Sequence, residues 1–102
     1  MSQLVNETKI TAYNYLSAFG FEDEQIYKLI EKGVKDINQT VEKLEIQLSN
    51  ATVVWDEVDD TLHALKGLLF QMGNNEIAEI IDQKRHTDKN QDSINTLLEL
   101  VQ

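Results

Sequence analysis

The chain has no cysteine, no proline and only four glycines in 102 residues. Without cysteine it can build neither a disulfide framework nor a thiolate metal site, and nothing in it requires an oxidising compartment. The scarcity of turn-forming residues argues against a β-rich domain, which at this size usually needs many of them. Long apolar runs are missing as well. No stretch approaches the roughly 18 consecutive apolar residues of a spanning helix, and the first twenty residues mix Asn6, Glu7, Lys9 and Thr11 among the apolar ones, unlike the core of a signal peptide. Cytoplasm is the expected compartment, so the Asn-x-Thr triplets at Asn6, Asn38 and Asn50 read as chance matches to a glycosylation pattern. Basic residues are also few: nine Lys and Arg against eighteen Asp and Glu leave a formal charge of −9. Such a charge repels phosphate backbones and anionic lipids, and Lys84 to His86 is too short a patch to reverse it. Neither nucleic-acid nor membrane binding is expected.

What the chain does have is Leu, Ile, Glu, Lys and Gln at helical spacing. Its length supports a single domain, 1–102, around one core. Ile10, Tyr13, Leu16 and Phe19 suggest the apolar side of a short first helix that ends at Gly20. Asp23 is a candidate N-cap for a second, long helix, carried by Ile26, Ile30, Ile37, Val41, Leu44 and Leu48 through Ser49. Gly33 inside it suggests a close helix contact, because a mid-helix glycine costs about 1 kcal/mol against alanine. The segment Ser49-Asn50-Ala51-Thr52 offers turn and N-cap chemistry. Trp55, Val58, Leu62, Leu65, Leu69 and Met72 then define a third helix, ended by Gly73 with Asn74 and Asn75 beyond it. Ile77, Ile80 and Ile81 mark a fourth helix. A polar loop from Lys84 to Asn90 precedes Ile94, Leu97, Leu98 and Val101 on a fifth. One apolar stripe per helix and short connections predict an all-α fold: an antiparallel, up-down-up-down four-helix bundle with a short additional N-terminal helix.

On the third helix His63 lies roughly 130° from the centre of the apolar stripe and so faces water, with Lys66 and Gly67 on the neighbouring surface. A neutral, exposed imidazole is a nucleophile near physiological pH, and a lysine beside it can offset the charge of an attached phosphoryl group. Gly67 leaves a bare patch through which a partner's backbone can approach.

The run Leu62-His63-Ala64-Leu65-Lys66-Gly67 resembles the histidine-containing phosphotransfer domains. Gly73 lies where that family commonly has a glycine after the motif, Trp55 lies where an aromatic often begins the helix, and helix number and order agree. The resemblance implies that His63 accepts a phosphoryl group, on Nε2, from a receiver-domain aspartate or a histidine kinase and passes it to another response-regulator receiver. It implies that Lys66 steadies the phosphoryl charge and that the chain is a carrier rather than an enzyme. The receiver would supply the acidic pocket and the magnesium, so this chain needs no cofactor of its own.

Gly67, Phe70 and Asp59 are the expected partner-binding residues. Phe70 projects only about 20° from His63 around the helix, where it either crowds the imidazole or gives a receiver an apolar patch to dock on. Asp56, Asp59 and Asp60 suit the helix N-terminus, and their charge disfavours a phosphoryl dianion. Asp59 is also placed for a local pair with His63. The two do not make a metal site, since only two ligands are local and no metal is expected. His86, in the polar loop, is expected to be ordinary surface. The alternative function is a binding module that docks on receivers or kinases without carrying phosphate. A third reading is the phosphoacceptor domain of a larger kinase, although the Met1 start favours a free-standing protein. Nothing beyond the bundle's own stripes demands self-association, so a monomer is expected.

Overall fold

A computed structural model describes residues 2–87 and 89–102; Met1, and Asp88 of the polar loop, lie outside the described residues. These residues form five helices and no strand: α1 Gln3–Ala18, α2 Asp23–Ser49, α3 Trp55–Gln71, α4 Asn75–Lys84 and α5 Gln91–Leu100. Each helix packs on the next in sequence, in a body about 46 × 20 × 20 Å. Ile37, Leu44 and Leu48 of α2 meet Val58, Leu62, Leu65 and Leu69 of α3, with Ala78 and Ile81 of α4 and Ile94 and Leu97 of α5 completing the core. These are the stripes expected for α2, α3 and α5; on α4 Ala78 stands in the core beside Ile81, with Ile77 partly buried against it, and Ile80 of the expected stripe is not part of it. None of the five helices is long and apolar enough to cross a membrane.

The first helix differs from its expected length and orientation: it is not short, since its 16 residues exceed the 10 of α4 and of α5. It buries Leu4, Val5, Thr8, Ala12 and Leu16, whereas Ile10 and Phe19 are about two-thirds exposed at 64% and 65%, and Tyr13 is exposed as well. Of the proposed stripe only Leu16 is in the core. Thr8 and Ala12, both without measurable exposure, are the small residues on the inward side, where a bulkier side chain would hold α1 away from its neighbours.

Two caps also differ. Glu22, not Asp23, precedes α2, its backbone N–H donating to Gln25 Oε1 at 3.2 Å. The Asp23 carboxylate instead accepts from the Tyr13 hydroxyl at 2.9 Å, and that hydrogen bond raises the Tyr13 pKa. At α3 the N-cap is Val54, with no side-chain cap, so none of the polar residues 49–52 fills the position. Asp56 and Glu57 in the first turn still favour the helix start electrostatically.

The α3–α4 connection matches its sequence signals. Gly73 has φ +74°, a conformation a side chain resists, and Asn74 caps α4 by accepting from the Ile77 N–H at 3.4 Å. Asn74 is buried and its Nδ2 donates to Thr8 Oγ1 at 2.9 Å, while Thr11 Oγ1 donates to the Met72 carbonyl at 3.0 Å. These bonds tie α1 to the far end of α3. Gly33 is a close-contact position as expected, since a Cβ there would lie 2.6 Å from Met72 Cε.

Candidate functional site

The exposed side of α3 carries His63 at its middle. The apolar sequence Val58, Leu62, Leu65 and Leu69 fixes the helix's rotation by burying one side, and His63 is thereby exposed on the other. Gly67, one turn further on, has no atom within 4 Å of where a Cβ would stand, so the surface there is open. Phe70 lies about two turns from His63 and is 38% exposed; the imidazole remains open to solvent, so the ring does not cover it.

Lys66 does not extend into solvent beside the imidazole. Its Nζ lies 3.1 Å from Asp82 Oδ1 of α4, with the lysine side chain 21% exposed. The cation nearest to His63 is Arg85, at the C-terminal end of α4, whose Nη1 lies 3.1 Å from His63 Nδ1. Arg85 is held by Asp59 through two parallel bonds, Nε to Oδ1 at 2.8 Å and Nη2 to Oδ2 at 3.2 Å. Its Nη1 also donates to Asp82 Oδ1 at 3.3 Å. The expected pairing of Asp59 with His63 is therefore replaced by a chain from Asp59 through Arg85 to His63. From Arg85 a second branch runs through Asp82 to Lys66.

The electrostatics follow from these contacts. The Arg85 guanidinium, hydrogen-bonded to Asp59, holds that carboxyl below the usual carboxylate range, and Lys66 does the same for Asp82. Two cations and two carboxylates balance one another, so the imidazole sits beside a locally neutral but strongly dipolar cluster. The cluster is anchored from the α4–α5 connection as well. Lys89 donates to the Arg85 carbonyl at 3.2 Å, and its Nζ lies 6.0 Å from the centre of the Trp55 ring.

Sequence reasoning missed Arg85 and Asp82. In the sequence Arg85 reads as one of three residues, Lys84 to His86, in a basic patch too short to reverse the net charge; His86 is exposed in the turn after α4. The available signal was the spacing of Asp82 and Arg85, three apart on one helix, which puts an acid and a base on one surface. Which surface of α3 they would meet depends on the packing of α3 against α4. Among the described residues no group of three or more His, Cys, Asp or Glu is placed to hold a metal ion.

No family model matches this chain, and no curated protein or solved structure matches it.

Proposed function

We propose that this chain is a histidine phosphotransfer domain in which His63 carries a phosphoryl group between a histidine kinase or a receiver aspartate and another receiver. The observation that carries this reading is the exposed imidazole on α3, contacted by Arg85 and followed one turn along by open surface at Gly67, with Lys66 held by Asp82 of the same cluster. A phosphoryl group adds close to two negative charges, and two cations within one side chain's reach can offset them. In this reading α2 to α5 form the antiparallel four-helix bundle and α1 packs on α2. The partner receiver contributes the acidic pocket and magnesium, and transfer takes place in the cytoplasm between separate proteins. Gly67 and Phe70 form the docking surface, the glycine by clearance and the ring by its apolar area.

The test is incubation with phosphorylated receiver domains, followed by measurement of acid-labile, base-stable phosphate. Labelling of the wild type and its absence in His63→Gln is the expected result. A second reading, docking without phosphate, is favoured by the neutralisation of Lys66 and Arg85 by Asp82 and Asp59. Receivers that bind without labelling His63 would select it.

A further inference from the structure

The bond between Arg85 and His63 has a direction that its geometry alone does not state. A guanidinium has five N–H donors and no acceptor, so at 3.1 Å Arg85 Nη1 donates and His63 Nδ1 accepts. A neutral imidazole whose Nδ1 lone pair is engaged in this way carries its proton on Nε2. In that tautomer the Nε2 electron pair belongs to the ring and is not available for attack. The orientation of the guanidinium is fixed: Nε and Nη2 are committed to Asp59, and Nη1 is shared between His63 and Asp82. The Arg85 side chain is only 17% exposed, and its backbone carbonyl is held by Lys89.

From this we infer that Arg85 is a tautomer latch: it keeps His63 protonated on Nε2, and phosphoryl acceptance at Nε2 requires Arg85 to leave Nδ1. The inference rests on the phosphotransfer reading and adds a control to the same site. On release, the Nε2 proton passes to water and a proton from water binds Nδ1, which exposes the Nε2 lone pair. That pair forms the N–P bond to an incoming acyl phosphate as the P–O bond to the donor aspartate breaks, its electrons remaining on the carboxylate. Arg85 is thus a positioning residue in the resting protein. Asp59, by aiming it, is part of the same device.

The experiment uses the full chain with ¹⁵N-labelled histidine, and two-bond ¹H–¹⁵N correlation spectra that distinguish protonated from bare ring nitrogens. His63→Gln assigns the signals. The expected wild-type spectrum shows a protonated Nε2 and a bare Nδ1. Arg85→Ala, checked for an intact helical melt, is expected to show averaged shifts of two exchanging tautomers, and Asp59→Asn, which weakens the pair that aims the guanidinium, to shift the pattern the same way. Loss of one net hydrogen bond changes the tautomer ratio about fivefold, so the form with a bare Nε2 should be about fivefold more populated relative to the other in Arg85→Ala, and all proteins are also treated with the small phosphoryl donor phosphoramidate. Averaged shifts in the wild type, or an unchanged tautomer pattern in Arg85→Ala, would overturn the latch. Absence of phosphate on His63 in every protein, with the tautomer pattern as expected, would overturn the carrier reading instead.

Discussion

Helix α3 is used in two different ways along its length. At its C-terminal end two neutral bonds, Asn74 to Thr8 buried and Thr11 to the Met72 carbonyl part-buried, join it to α1, and Gly73 packs against Tyr15. At its middle a charged, part-exposed set made of Asp59, His63, Lys66, Asp82 and Arg85 joins it to α4. The buried Asn74–Thr8 bond is shielded from competing water, so its loss leaves a polar group unsatisfied and weakens the fold. The charged bonds are screened and exchange easily with water or with a ligand, so they add little stability but can be rearranged. The first set builds the protein, and the second is free to act.

The glycine inside this helix and the one just past its C-terminal end offer the sharpest way to break that comparison. Gly73→Ala forces a side chain into a positive φ and brings a Cβ to 2.6 Å from Tyr15 Cβ. A loss of about 3 kcal/mol is expected from the left-handed conformation and the overpacking together, read from urea unfolding. Gly67→Ala meets open space inside a helix and should stabilise the protein by about 0.5–1 kcal/mol, while slowing transfer from a docked receiver. A destabilised Gly67→Ala variant, or one with unchanged transfer, would remove the reason given for this glycine.

The smallest effect concerns acid. Asp59 and Asp82 titrate below their usual range in the folded protein because Arg85 and Lys66 hold them ionised. A carboxyl with a lowered folded pKa contributes stability above its unfolded value, near 4, and loses that contribution as the pH falls through the folded value. Stability should therefore decline below about pH 4, and Asp59→Asn combined with Asp82→Asn should flatten that part of the curve. Urea midpoints measured from pH 6 down to pH 2.5 would show it, and an unchanged slope in the double variant would count against the charged cluster.

Much of this was legible in the residues. The stripes of α2 and α3, the break at Gly73 and Asn74, and the exposure of His63 all follow from helical periodicity and cap chemistry, which are local. In α1 two stripes compete: the larger residues Ile10, Tyr13 and Phe19 suggest one face, yet Leu4, Val5, Thr8, Ala12 and Leu16 form the buried one. Size misled there, because close packing selects small residues that hydrophobicity ranks low. Arg85 and Asp82 reach the site from α4, more than fifteen residues away in sequence from their α3 partners, and no local pattern encodes that register. The same holds for the Thr8–Asn74 bond, which spans most of the chain.

The central claim is that His63 accepts a phosphoryl group. Acid-labile, base-stable phosphate measured on the purified chain after exposure to phosphorylated receivers tests it most directly. Phosphate on His63, absent from His63→Gln, is the predicted result; receivers that bind the chain yet never label it would contradict the account.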